Sequence, residues 1–122
     1  MSTPPERREY KRVPLGLPVF YIRDGAQCLD YSMDIGAGGL RLVADERLTP
    51  GTRTQVRFAH PFLGMCMLLE GEVMWTRPVM VEGREASRWA MGIRFHNLME
   101  SDALIIDQLV DHESLRSVAG YR

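Results

Sequence analysis

Tight-turn signals divide most of this chain into short segments. The pairs Asp24–Gly25, Pro50–Gly51 and Glu82–Gly83 all favour turns, and a cluster of glycines follows Ile35. Such signals recur about every ten to fifteen residues, a spacing that suits a succession of strands better than long helices. With 122 residues, the chain has room for one domain with a single hydrophobic core.

Strict alternation of apolar and polar residues is clearest over 88–95. The apolar side chains of this segment share one face, and its small and basic side chains share the other. The pattern predicts a half-buried strand, with Trp89 and Trp75 in the core and with Arg88 and Arg94 on a solvated wall. Further strands are predicted over 17–24, 27–35, 40–43, 54–58 and 67–77.

Only the C-terminal part of the chain has a helical pattern. Ser101 is a candidate N-cap, Asp102 follows it in the first turn, and apolar residues recur at helical spacing over 105–110. Together these elements predict a mainly β fold, a small six-stranded antiparallel β-barrel with a C-terminal α-helix. We expect a flexible N-terminal segment over 1–16 and the barrel with its helix over 17–116.

Composition and spacing exclude several classes of function. The net charge of −1 creates no general attraction for nucleic acid or an anionic membrane. No apolar run approaches the roughly 20 residues that span a bilayer, and the N-terminus lacks a secretory signal, so we expect a cytoplasmic protein without membrane insertion. The cysteines and histidines have no metal-ligand spacing, and no catalytic grouping is visible. The sequence therefore predicts a protein that is not an enzyme and has no metal or cofactor.

Four cations lie within residues 7–12, just before the first predicted strand. They are Arg7, Arg8, Lys11 and Arg12. Guanidinium groups bind phosphate oxygens through two parallel hydrogen bonds, and their flat faces stack on aromatic rings. This cluster suits a ligand with both phosphates and purines. A basic, solvated N-terminus would have the same composition, and the cluster alone does not distinguish the two.

A second cluster follows the predicted strand over 27–35. Three glycines at Gly36, Gly38 and Gly39 permit a sharp turn and close approach of a ligand to the backbone. Asp34 precedes them, and its carboxylate could accept hydrogen bonds from the adjacent N1–H and N2–H₂ donors of guanine. The alternative is an ordinary tight corner in which Asp34 forms a local side-chain turn.

Taken together and in this order, the two clusters resemble the signatures of the PilZ family. That family has an RxxxR box before its first strand, here Arg8 to Arg12, and a D/NxSxxG turn after it, here Asp34 to Gly39. The proline-glycine turn, the GEVMW and WAMGIRF segments and the closing helix extend the resemblance over residues 6–113. The resemblance implies a PilZ-like barrel that binds the bacterial second messenger cyclic di-GMP and signals to a downstream protein.

The resemblance also implies a role for each matched residue. Arg8 and Arg12 would hold the phosphates and guanines of cyclic di-GMP. Arg7 precedes the box, where an arginine in the family accompanies binding of a stacked, intercalated pair of nucleotides. Asp34 would bind a guanine edge, and Gly39 would hold the turn. The basic segment is expected to fold over the nucleotide and so to move the N-terminus relative to the barrel.

One position departs from the family pattern. Gly36 stands where the family has serine, so one hydroxyl group is missing from the predicted ligand site. A neutral hydrogen bond contributes roughly 0.5–1.5 kcal/mol, whereas each arginine contact to a charged group contributes roughly 1.5–3 kcal/mol. We therefore expect weakened rather than abolished binding.

Two other functions stay open from the sequence. The first is a nucleotide-blind adaptor, a barrel that contacts a motility or envelope protein without a ligand, which the glycine at position 36 favours. The second is a small nucleic-acid-binding barrel that uses the basic segment. We rank it last because the net charge is −1 and no strand face shows exposed aromatic residues.

Overall fold

The computed structural model of the protein describes residues 10–119, with side chains from 10 to 116. Seven strands precede one helix. Their bounds are β1 Arg12–Pro14, β2 Pro18–Arg23, β3 Ala26–Gly36, β4 Gly39–Ala44, β5 Arg53–Ala59, β6 Cys66–Val81, β7 Arg84–His96 and α1 Glu100–Ala119.

All strand pairings described are antiparallel, and six of the strands close into a barrel. The order in the sheet is β1-β3-β2-β5-β6-β7-β4. Strand β4 also pairs with β3, and this pairing closes the six strands from β3 to β4 into a barrel. Strand β1 is the additional strand, paired only with the end of β3. The predicted fold class, a six-stranded antiparallel barrel with a C-terminal helix, is confirmed.

Two of the predicted turns close the barrel's hairpins. Asp24 and Gly25 both have positive φ, 53° and 79°, between β2 and β3. Glu82 and Gly83, at 51° and 78°, occupy the same place between β6 and β7. Two successive residues with positive φ match the right-handed twist of the flanking strands, which is why glycine follows an acidic residue in each case.

Every strand contributes side chains to the core, and alternate residues of the strands point into the barrel. Its largest fully buried side chains are Val19, Tyr21, Ile35, Leu40, Leu42, Val56, Phe58, Val73, Met91, Ile106, Leu109 and Val110. The predicted inward face of β7 is confirmed for Met91, Ile93 and Phe95, which are all buried. Burial of this many apolar side chains, at roughly 1.5–3 kcal/mol each, is the main force that holds the barrel together.

A buried serine joins the segment after β1 to β3. The Ser32 hydroxyl accepts a hydrogen bond from the Leu17 amide at 2.9 Å and donates one to the Leu15 carbonyl at 2.5 Å. Both backbone groups are thereby satisfied although the segment between β1 and β2 makes no regular ladder there. The connection holds the segment that follows β1 against β3.

Helix α1 packs against β1 and β3. It begins at Glu100, so the predicted N-cap Ser101 lies inside the first turn instead of before it. Ile106, Leu109 and Val110 are buried as the helical spacing predicts. Within residues 10–119, the helix found is not apolar enough over its length to cross a bilayer.

The predicted core positions of the two tryptophans are wrong. Trp75 and Trp89 are only half-buried, and each has an arginine guanidinium over its ring, Arg77 at 4.7 Å and Arg47 at 4.5 Å from the ring centroid. For Trp75 the reason is an irregularity in the β6–β7 pairing between Val73 and Trp75. One extra residue on β6 shifts the alternation, so Trp75 lies opposite Gly92 on the outer face.

Candidate ligand site at the glycine corner

Strand β1 lies directly on the glycine corner. It pairs with the end of β3 so that Arg12 is opposite Gly36, Val13 opposite Ile35 and Pro14 opposite Asp34. The corner itself is the tight connection between β3 and β4, in which Gly36 pairs with Gly39. The pairing therefore brings the last residue of the RxxxR box to the motif turn.

Gly36 is the position at which β1 approaches most closely. A Cβ atom on this residue would overlap the carbonyl oxygen of Lys11 and would lie 3.2 Å from Cγ of Arg12. The close pairing of β1 therefore uses the space that the family's serine side chain would occupy. Glycine at position 36 therefore permits the close packing of β1, and it also removes one hydroxyl group from the predicted ligand site.

The other two corner glycines are also places of close approach. A Cβ on Gly38 would lie 2.9 Å from the ring of Tyr10, and a Cβ on Gly39 would overlap the carbonyl oxygen of Ile93 in β7. Because backbone cannot move aside as a flexible side chain can, Gly39 is the more constrained of the two. The corner thus packs against the box on one side and against β7 on another.

Asp34 lies at the centre of a charged cluster. Its side chain is 10% exposed, and its Oδ2 accepts a hydrogen bond from Nε of Arg41 at 2.8 Å and forms a salt bridge with a terminal nitrogen of Arg41 at 2.5 Å. A terminal nitrogen of Arg12 lies 3.9 Å from Oδ1, too far for a hydrogen bond. Among the described residues, Oδ1 is buried without a hydrogen-bond partner, an uncommon state for a carboxylate oxygen.

A pocket of about 140 Å³ opens beside this cluster. Its walls combine three guanidinium groups, glycine backbone and one indole ring, from Arg12, Gly38, Arg41, Met74, Trp75, Gly92, Ile93 and Arg94. Guanidinium groups bind phosphate, and an aromatic ring offers a stacking surface to a base. The arrangement is suited to an anionic ligand that contains a planar ring.

The Trp75 ring reaches this pocket because Gly92 has no side chain. A Cβ on Gly92 would overlap the indole of Trp75, so the ring occupies the space that a side chain at this position would need. The prediction that Arg94 faces only solvent on the barrel wall needs correction, since Arg94 also lines the pocket. Arg88, in contrast, is an exposed wall residue as expected and pairs with Asp45 at 3.5 Å.

Lys11 connects the box to the helix. Its Nζ lies 2.7 Å from Oδ1 of Asp111 on α1, and both side chains are exposed. The hydrogen bond to Asp111 and the charge of that carboxylate raise the pKa of Lys11. The contact ties the residue just before Arg12 to the element that closes the fold.

The structure brings part of the predicted site together. Arg12, Asp34, Gly36 and Gly39 meet at one corner, whereas the predictions for Arg7 and Arg8 lie outside the described residues. Sequence reasoning missed Arg41, although it lies two residues beyond the corner on the polar face of β4. That position, on a strand that leaves the motif turn, is the signal that could have identified it.

A family model described as the PilZ domain matches residues 6–112 of this chain. The match covers most of the chain and confirms the resemblance found in the two motifs. Among curated proteins, no match is found.

Solved structures of similar fold include three bacterial proteins. The inhibitor of motility MotI/DgrA of Bacillus subtilis has a TM-score of 0.76 at 19% identity, over 91% of this chain and 53% of that one. The PilZ domain of YcgR from Escherichia coli, solved with c-di-GMP, has a TM-score of 0.71 at 17% identity, over 96% and 100%. The K. pneumonia MrkH–c-di-GMP complex has a TM-score of 0.74 at 14% identity, over 94% and 56%.

These similarities establish the fold. The chain spans about half the length of MotI/DgrA and of MrkH, and the full length of the YcgR domain.

Proposed function

The chain belongs to the PilZ domain family, and from that membership we propose that it is a non-catalytic receptor that binds cyclic di-GMP at the glycine corner. The receptor would then pass the signal to a protein partner. Two of the structures with the same fold were solved with this ligand, which supports the proposal. Since cyclic di-GMP is a bacterial second messenger, the proposal places the protein in the cytoplasm.

The observation that supports this function most directly is the state of Asp34. Among the described residues, one of its oxygens is buried without a hydrogen-bond partner, and the other is held by Arg41. A guanine edge offers two adjacent donors, which match the two oxygens of one carboxylate. Binding would therefore exchange the contacts with Arg41 for guanine contacts and satisfy Oδ1 as well.

The arginines around Asp34 can change partners. The side chains of Arg12 and Arg41 are 47% and 40% exposed, so both can turn from the carboxylate toward a phosphate without leaving a buried cavity. Each charge-assisted contact to a phosphate contributes roughly 1.5–3 kcal/mol. Trp75 offers a stacking surface for a base beside the same pocket. Arg7 and Arg8 would complete the set from the N-terminal side.

Calorimetric titration of the full chain with cyclic di-GMP tests this function. We expect micromolar or tighter binding that falls about 10–100-fold in Arg8→Ala, Arg12→Ala and Asp34→Ala. Arg84→Ala, at the exposed tip of the β6–β7 hairpin, is the matched control and should bind normally. A stoichiometry of two nucleotides per chain would support the role proposed for Arg7. Absence of binding at near-millimolar nucleotide would refute the receptor function.

A nucleotide-blind adaptor is the second candidate. Gly36 lacks the serine hydroxyl of the motif, and the Asp34 carboxylate is already hydrogen-bonded to Arg41 in the free protein. Both features lower the expected affinity for a nucleotide. This candidate predicts that the chain binds its protein partner equally well with and without cyclic di-GMP, which distinguishes it from the receptor.

A further inference from the structure

Three of four adjacent strands expose apolar side chains on the outer wall of the barrel. We call this surface the wall patch, and it consists of Phe20 and Ile22 of β2, Leu29 and Tyr31 of β3, and Leu68 of β6. Residues two apart on a strand share a face, so these side chains all point away from the core. Leu68 is 60% exposed, Tyr31 57%, Leu29 46% and Ile22 41%.

The pairing registers show that the patch is continuous. Leu29 lies opposite Phe20, Phe20 opposite Arg57 of β5, and Arg57 opposite Leu68, so that one row crosses four strands. Tyr31 lies opposite Pro18 in the neighbouring row. Single exposed apolar residues are common on soluble proteins, but a contiguous apolar surface usually marks an interaction site.

Arg57 is the charged residue within this row. Its guanidinium lies 4.6 Å from the centroid of the Phe20 ring and pairs with no carboxylate among residues 10–116. Arg53, the other arginine of β5, does have such partners, because its guanidinium nitrogens lie 3.7 and 3.9 Å from carboxylate oxygens of β6. A partner that covers the row would remove the Arg57 guanidinium from water. The free-energy cost of this desolvation is offset only if the partner supplies a negative charge.

This charge distribution argues against a second copy as the occupant. The wall patch contains no carboxylate, so a two-fold contact centred on it would bring Arg57 toward its symmetry mate without compensation. Addition of a strand at an edge is also excluded here, since β2 and β5 are paired on both sides. The occupant must therefore lie across the face of the sheet.

We propose that the wall patch is the docking surface for a partner protein segment with apolar side chains around one aspartate or glutamate. The acid would pair with Arg57, and the apolar groups would cover Leu29, Tyr31 and Leu68. A shallow pocket of about 60 Å³ between Phe20, Ile22 and Leu68 takes a single short apolar side chain. Aromatic residues and arginine are enriched in the centres of protein interfaces, and this row contains both. The proposal stands on the barrel wall alone and does not depend on nucleotide binding at the corner.

A selection from a random peptide library displayed on phage tests the proposal with defined probes. The library is selected on the full chain after depletion on the Leu68→Lys variant, and the selected peptides are synthesised and titrated. We expect sequences with one acidic residue between apolar residues. Their affinity should fall at least about tenfold in Leu68→Lys and in Arg57→Glu. A lysine in place of the peptide's acid should weaken binding to the wild type and restore binding to Arg57→Glu.

Matched variants separate the patch from general surface effects. Leu115→Lys changes a leucine on α1 that is 70% exposed, and Arg84→Glu reverses a charge on the β6–β7 hairpin. Both should bind the peptides normally, and circular dichroism should show all four variants folded. The proposal is overturned if no selected peptide depends on Leu68, or if peptides without an acid bind as well. It is also overturned if sedimentation shows that the wild-type chain dimerises through the patch and that Leu68→Lys is monomeric.

Discussion

Gly36 occupies the position where the PilZ motif has serine, and the backbone of Lys11 lies where a serine side chain would begin. A Gly36→Ser substitution should therefore displace β1 rather than improve the ligand site. We expect a loss of about 1–3 kcal/mol in the free energy of unfolding, typical of overpacking, and no gain in affinity for cyclic di-GMP. Urea denaturation and calorimetry measure the two quantities.

Gly16→Ser is the control for that substitution. Among the described residues, a Cβ on Gly16 would meet only the Ser32 carbonyl oxygen, at an ordinary contact distance of 3.8 Å. Equal stability of the two serine variants, together with tighter nucleotide binding by Gly36→Ser, would show that the glycine has no packing role.

Tyr21 predicts a pH dependence at the residue scale. Burial raises the pKa of its phenol, and the hydrogen bond to Asp30 at 2.6 Å adds to the shift. The unfolded chain ionises this group near pH 10, while the folded chain keeps it protonated. Its contribution to stability is therefore complete below about pH 10 and is lost as the pH rises toward the higher pKa of the folded state.

Urea unfolding between about pH 8 and 11 checks this expectation. Tyr21→Phe should lose about 1 kcal/mol at neutral pH, because the hydrogen bond is gone, and should show a smaller alkaline decrease than the wild type. Tyr31→Phe, at an exposed tyrosine, should keep the full decrease. An identical alkaline decrease in Tyr21→Phe would contradict the assignment to this phenol.

At the scale of elements, helix α1 is held by polar contacts as well as by its apolar face. Nε2 of His60 lies 2.8 Å from a carboxylate oxygen of Glu113, and both side chains are only 10% exposed. The ring of Phe62 stacks on His112 at a centroid distance of 4.2 Å. These contacts join the loop between β5 and β6 to the second half of the helix.

Removal of the Glu113 side chain should loosen that half of the helix. We expect faster amide hydrogen exchange over the second half of α1 in Glu113→Ala, with little change in β6 and β7. Ser114→Ala alters the neighbouring exposed position and should exchange like the wild type. Uniformly faster exchange across the barrel would indicate global destabilisation instead of local release of the helix.

The order and type of the elements could be predicted, but their ends and irregularities could not. Every predicted strand falls within or overlaps an observed one, because alternation and turn residues act over a few positions. Strand β1 was missed since three residues carry no periodic pattern. The bulge between Val73 and Trp75 was missed for a different reason. The register shift there depends on the pairing of β6 with β7, and the apolar pattern of β6 alone does not reveal it.

At the scale of the molecule, the barrel needs the helix for a sufficient core. Ile106, Leu109 and Val110 are almost completely buried. Truncating a buried isoleucine or leucine to alanine costs roughly 2–5 kcal/mol, and a domain of this size has only about 5–15 kcal/mol in total. The triple alanine variant at these positions should therefore lack a cooperative thermal transition, as measured by circular dichroism or calorimetry.

A second triple variant controls for helix propensity and surface change. Alanines in place of Leu104, Gln108 and Leu115 alter the exposed face of the same helix. This variant should unfold cooperatively near the wild-type midpoint, since no buried contact is lost. If both triple variants behave alike, the helix does not contribute to the core as the burial indicates.

Short-range patterns determined the six strands of the barrel, the hairpin turns, the terminal helix and the two motifs, because each depends on neighbours in the chain. Long-range contacts decided the rest. The engagement of Asp34 by Arg41, the position of Trp75 beside the pocket and the contact of Lys11 with Asp111 all join residues of different elements. Which partners meet depends on the closure of the barrel and on the register of its strands, and no local pattern encodes either.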